Sequence, residues 1–228
     1  MAEPRPTLSL TIPQGEVRAV VLVLHGGREH GTDLVRPTQL SVVRMLPFAR
    51  ALRRRGAASG LAVARLRYRV RGWNGAGESP LADARWALGR IAERFGDAVP
   101  VALLGYSMGG RVAVTTAGEP VVRVVVALAP WLTDADPVAG LAGRHVLFVH
   151  GGADHTTDPR ATMAFAERAR PVAASCRVVI VRREGHPMMR RPWLWHRLAT
   201  DAVVTGLGLG QPPARPEHTA GGGSAPRG

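Results

Sequence analysis

The chain has 228 residues, 46% of them apolar and 21% charged, enough to bury one core and too few for two enzymatic domains. Its formal charge of +13 invites a nucleic-acid reading, but all 30 basic residues are arginines scattered along the chain, Arg53, Arg54 and Arg55 forming the one triple; this is a GC-rich genome's solvated surface, and no nucleic-acid partner is expected. A single cysteine, Cys176, excludes an intrachain disulfide or a thiolate metal cluster, and with neither a secretory leader nor an apolar run of about 20 residues the expectation is a cytoplasmic chain without membrane insertion.

Residues 7–12 alternate apolar and polar, the pattern of an antiparallel edge strand. Apolar, β-branched runs follow at 19–24, 62–66, 100–105, 121–128, 145–150 and 177–182. Continuous runs such as 19–24 belong to parallel strands buried on both faces. Helix-like stretches separate the runs, near 43–55, 80–95, 108–117, 160–170 and 192–206. The alternation predicts an α/β fold, a mostly parallel central sheet with helices on both faces. The helix over 80–95 is the best marked: Leu81, Ala84, Leu88, Ile91, Ala92 and Phe95 share a face, Ser79 can cap its start, Pro80 suits its first position, and Gly96 supplies a left-handed stop. VLVLHGGREHGTD at 21–33 and VLFVHGGADHTTD at 146–158 match at most positions, which we read as two buried strands opening into glycine turns rather than as a duplication. The folded domain is expected to span 1–207, and the glycine- and proline-rich stretch 208–228 to be a flexible tail.

Gly105-Tyr106-Ser107-Met108-Gly109-Gly110 follows the strand VALLG and precedes a helix-like segment. In that context G-x-S-x-G describes a sharp turn that strains the serine backbone, exposes its hydroxyl and sets it at the positive end of a helix. A hydroxyl is a poor nucleophile at neutral pH, so it needs a base within hydrogen-bond reach and a third group to orient that base. The carboxyl ends of parallel strands share one edge, where residues distant in sequence can converge. His186, in REGHPMM, follows the last strand, and Pro187 disfavours helical backbone there, so His186 is the candidate base. Asp154, in HGGADHTTDP, is the candidate to orient it, with Asp158, Asp134 and Asp136 as rivals. His25 and His150 stand at strand ends before Gly-Gly turns, where their rings are expected to brace the loops. An oxyanion would be met by the Met108 N–H and by a second donor in the turn His25-Gly26-Gly27-Arg28, with Gly27 favoured and Arg28 open. Arg28, Tyr106 and Trp131 are candidate substrate-binding residues, the two aromatics being equally readable as packing. His25, His30 and Asp33 lack the spacing of a metal site, and neither a phosphate loop nor a dinucleotide fingerprint is present, so no metal or cofactor is expected.

The HGG turn, the GYSMGG elbow, the HGGAD strand end and the GHP loop stand in the order of the α/β-hydrolase superfamily, which residues 17–207 resemble, and more loosely in that of its dienelactone-hydrolase-like and carboxylesterase-like branches. RYRVRGWNGAGESPLADARWAL at 67–88 is similar to the family's R-G-x-G-x-S segment, with an insertion around Trp73 and Asn74. The resemblance implies a serine hydrolase acting on small esters or thioesters through Ser107, Asp154 and His186, in that chain order. It also implies a place for a lid after Ala129. Only residues 131–143 are available there, too few for a helical cap, which points to an open pocket. Peptidase, acyltransferase or thioesterase chemistry would use the same residues, and a catalytically silent binding module the same fold.

Overall fold

The computed structural model describes residues 4–75 and 78–210; of the expected tail, residues 211–228 lie outside the described residues. Seven strands, β1 (Thr7–Thr11), β2 (Ala19–Leu24), β3 (Leu61–Arg67), β4 (Val101–Tyr106), β5 (Val122–Leu128), β6 (His145–Gly151) and β7 (Ser175–Val181), form one sheet in the order β1-β3-β2-β4-β5-β6-β7. Neighbours run parallel except at β1, which pairs antiparallel with β3 from Thr7 opposite Arg67 to Thr11 opposite Val63. β2 and β4 are buried at every position, which is why they read as unbroken apolar runs, whereas β1 is mostly exposed.

Among the described residues six helices cover the two faces: α1 (Leu40–Val43), α2 (Leu46–Gly56), α3 (Glu78–Phe95), α4 (Met108–Thr115), α5 (Pro159–Ala169) and α6 (Pro192–Gly206). Strand residues alternate between two cores. Val20, Leu22 and Leu24 meet Ala84, Leu88 and Ile91 of α3, together with α4 and α5. Ala19, Val21 and Val23 face Phe48 and Leu52 of α2 and Trp195, Ala199 and Val203 of α6. Each buried Val, Leu or Phe side chain contributes about 1.5–3 kcal/mol, so these two layers hold the sheet edge rigid beneath the loops.

Two helix expectations need correction. The helix expected near 43–55 is α2, which starts three residues later, with Pro47 as its second residue. A helix running on from α1 would need a Pro47 N–H to bond the Val43 carbonyl; proline has none, and its ring would clash there. α3 begins at Glu78, so Ser79 lies inside its first turn rather than at the cap, and Pro80 is its third residue, still among those whose N–H has no partner within the helix. Gly96, at φ 92°, terminates α3 as expected. Between β5 and β6 the chain makes only a short 3-10 turn, Ala139–Leu141, and no cap is inserted. Among the described residues no helix is long and apolar enough to cross a membrane.

Candidate active site

Ser107 sits between β4 and α4 at φ 55° and ψ −119°, a backbone that side chains rarely adopt. The neighbouring glycines permit it. A Cβ on Gly105 would lie 2.0 Å from the Gly109 carbonyl oxygen, and one on Gly109 would lie 2.5 Å from the carbonyl oxygens of Leu24 and His25. α4 thus packs directly on the ends of β2 and β4, and Ser107 projects from the edge where the parallel strands end.

His186 must reach Ser107 from β7, three strands away from β4, a span of roughly 14 Å at ordinary strand spacing. The loop after β7 folds back over the sheet edge to cover it. Its anchor is Glu184, only 2% exposed, whose carboxylate accepts the N–H groups of Arg190 (3.1 Å) and Arg191 (2.9 Å) while its carbonyl accepts the Ala153 N–H (2.9 Å). The Arg44 side chain donates to the Pro187 carbonyl, and the Tyr106 hydroxyl donates to the His186 carbonyl at 3.3 Å. Burial, against the opposing pull of Arg44, pushes the Tyr106 phenol up to about 12, so it remains a donor.

The three side chains selected by sequence form one hydrogen-bonded line. Ser107 Oγ lies 3.1 Å from His186 Nε2, and His186 Nδ1 lies 2.8 Å from Asp154 Oδ2. Facing a carboxylate fixes the proton on Nδ1 and leaves the Nε2 lone pair toward the serine hydroxyl. Asp154 is enclosed by four donors, the N–H groups of Thr156 (2.8 Å) and Thr157 (3.0 Å) on Oδ1 and the Thr157 hydroxyl (3.0 Å) and His186 Nδ1 on Oδ2, with His150 Nε2 3.3 Å from Oδ2. Burial alone would raise its carboxyl, but the hydrogen bonds from His150, His186 and the Thr157 and Thr156 backbone outweigh it and hold the group well below the usual carboxylate range. The rival acids are engaged elsewhere or stand in solvent. Asp158 caps α5 through the Arg160 N–H, Asp136 is paired with Arg111 at 2.7 Å, and Asp134 is exposed.

His150 does more than brace its loop. Its ring is fully buried, with Nδ1 2.7 Å from Thr162 Oγ1 and Nε2 against Asp154 Oδ2 and the Thr157 carbonyl (3.2 Å). With two acceptors in front of it, Nε2 carries the proton; it donates to the Thr157 carbonyl and stands 3.3 Å from Asp154 Oδ2, so a second imidazole faces the carboxylate that holds His186. Thr157, absent from the sequence reading, places its hydroxyl 3.0 Å from Asp154 Oδ2, 3.2 Å from His186 Nδ1 and 3.3 Å from the Ala129 carbonyl. The one sequence signal for it is the D-x-T-T run, whose backbone turns back onto the Asp154 side chain.

The HGG turn after β2 lies against the elbow: a Cβ on Gly26 would stand 3.4 Å from Ser107 Cβ, and one on Gly27 would collide with the Met108 side chain and the Arg71 carbonyl at 2.4–2.5 Å. Arg28 N–H donates to the Arg71 carbonyl at 2.9 Å and is occupied. Among the described residues the N–H groups of Gly27 and Met108 have no such partner. The insertion around Trp73 and Asn74 ties this turn down. Trp73 and Asn74 N–H groups donate to the Arg28 and Glu29 carbonyls, and Asn74 Oδ1 accepts the Gly31 N–H. His25 donates from Nδ1 to the Gly26 carbonyl at 2.6 Å and accepts the Tyr68 N–H on Nε2; burial, opposed by the Gly26 hydrogen bond, pushes its imidazole down to about 4.

Gly26, Gly27, Arg28, Gln39, Leu40 and Arg71 line a cavity of about 250 Å³ beside the elbow. A larger cavity, about 340 Å³, lies at the opposite end of the strands, around Val124, His145 and Ser175, remote from Ser107. Arg28 is exposed at the mouth of the first. Tyr106 is buried beneath His186, ring centres 5.0 Å apart, and is support rather than lining. Trp131 is half-buried. Its ring and that of Trp73 enclose the Arg111 guanidinium at 4.8 and 4.2 Å, and its backbone N–H donates to the Ser107 carbonyl, so it packs beside the elbow.

No protein-family model and no curated protein matches the sequence. Solved structures do share the architecture. A lidless α/β serine hydrolase from Xanthomonas campestris superposes with a TM-score of 0.62 at 19% identity, over 88% of each chain. A dienelactone hydrolase from Anabaena variabilis gives 0.63 at 19% over 88% of this chain and 92% of that one, and an esterase from Pyrococcus furiosus gives 0.66 at 15% over 88% of each. At such identities the likeness is one of architecture, and the chain has the α/β-hydrolase fold.

Proposed function

We propose that the protein is a serine hydrolase of carboxylesterase type that cleaves small esters or thioesters through an acyl-enzyme. The observation that carries this reading is the unbroken line from Ser107 Oγ through His186 to Asp154, set on a strained elbow at the N-terminus of α4. Ser107 Oγ attacks the substrate carbonyl carbon as His186 Nε2 takes its proton, and Asp154 stabilises the imidazolium. The Gly27 and Met108 N–H groups receive the oxyanion, each contributing about 3–4 kcal/mol to the transition state. Collapse expels the alcohol or thiol, which takes the proton back from His186. Water, deprotonated by the same nitrogen, then releases the acid and restores Ser107. That solved structures of this fold include proteins described as esterases and serine hydrolases agrees with the reading.

The test is hydrolysis of p-nitrophenyl acetate by the native protein and by Ser107→Ala. The variant should retain its fold and lose a factor of about 10³ or more in kcat/KM. Equal rates in the two would end the proposal.

A further inference from the structure

Exposed large apolar side chains occur on β1, α3, α5 and β7, but the most exposed ones lie elsewhere. The four large apolar side chains most open to solvent among the described residues are Leu40 (76%), Met189 (72%), Trp193 (62%) and Leu34 (60%). All four lie between the carboxyl end of β2 and α2, or from that of β7 through the first turn of α6. These stretches are neighbours. Arg44 at the end of α1 donates to the Pro187 carbonyl, and the following helices meet side by side where Phe48 packs edge-on against His196 at 4.5 Å. α1 has no fully buried side chain; Val42 packs partly against the core and Leu40 faces out. Single exposed apolar residues are ordinary, but here the most exposed ones crowd the edge that carries Ser107, and Leu40 lines the cavity beside Gly26 and Gly27.

The polar groups between them are mainly cationic. Arg28 and Arg36 on the first stretch, Arg190 and Arg191 on the second and Arg197 in the second turn of α6 are exposed, with the Arg197 guanidinium 5.7 Å from the Trp193 ring centre. The exposed acids there are Glu29 and Asp33; Glu184 is buried on two backbone N–H groups. Apolar tips among arginines, with a tryptophan at the boundary, suit an interface of acyl chains beneath anionic headgroups. A second copy of the chain suits it less, because a two-fold contact would set one arginine-rich rim against another.

We infer that this rim is a docking face for an anionic phospholipid surface. Met189, Trp193 and Leu40 enter the headgroup region, the arginines pair with lipid phosphates, and the Ser107 cleft opens toward the lipid. The inference goes beyond the proposed hydrolysis and does not depend on it, since docking requires no reaction.

Co-sedimentation of the full chain with vesicles of phosphatidylcholine alone, and of phosphatidylcholine mixed with phosphatidylglycerol, tests it. Binding is expected to the mixed vesicles only, to weaken as salt is added, and to fall about tenfold or more in a Met189→Ser/Trp193→Ser double variant whose melting temperature and p-nitrophenyl acetate hydrolysis match the native protein. Absence of binding to mixed vesicles, or equal binding by the double variant, overturns the inference. So does a native dimer that the double variant converts to a monomer, which would make the face a self-contact.

Discussion

Two buried imidazoles give the site properties that a serine, a base and an acid alone would not. His150 shares Asp154 Oδ2 with His186, so part of the carboxylate's orientation is set from behind. If His150 is a positioning residue, His150→Ala should lower kcat roughly 10–100-fold with little change in KM, and His150→Gln, which can present an N–H near the Nε2 position, should recover part of the loss. An unchanged kcat in His150→Ala would reduce His150 to packing. His25 yields a stability prediction. Its imidazole is held at about 4 in the fold, against 6.5 ordinarily, so between those values the unfolded chain binds a proton that the folded chain refuses. Stability is therefore highest above pH 6.5 and falls as pH drops toward 4, by up to about 3 kcal/mol from this one group. Denaturant unfolding at several pH values should show that slope in the native protein and a shallower one in His25→Asn.

The elements explain why some of this was legible in the sequence and some was not. β2 and β4 announced themselves because both faces are buried, and the elbow because strand, glycine spacing and helix occur together within one short segment. The rule that parallel strands end on one edge narrowed the base and the acid to His186 and to Asp154 with its rivals, and the geometry singles out Asp154. The parts that escaped are non-local. Nothing periodic signals that residues 71–74 hydrogen-bond to 28–33, that Glu184 anchors the loop carrying His186, or that Arg111 lies between Trp73 and Trp131. The break between α1 and α2 was readable from Pro47. At this scale Gly109→Ala is expected to be severe, because the added Cβ would meet the backbone of β2 and its following turn rather than a side chain that could move aside. A loss of several kcal/mol in denaturant unfolding, or no folded protein, is the expected outcome.

For the whole molecule, the short β5–β6 connection leaves the cleft uncapped, and the cavity of about 250 Å³ beside the HGG turn is smaller than the roughly 300–1,000 Å³ common for drug-sized ligands. A series of soluble p-nitrophenyl esters should accordingly give its highest kcat/KM at short acyl chains, and a steady rise with chain length would contradict that geometry. The most direct measurement on the central claim is labelling by a fluorophosphonate, which reacts only with an activated serine. Peptide mass mapping should find one adduct, on Ser107, formed at least about a hundredfold more slowly in His186→Ala and absent in Ser107→Ala. A native protein that stays unlabelled, or a His186→Ala variant labelled at the native rate, would show that the hydroxyl, imidazole and carboxylate do not act as a unit.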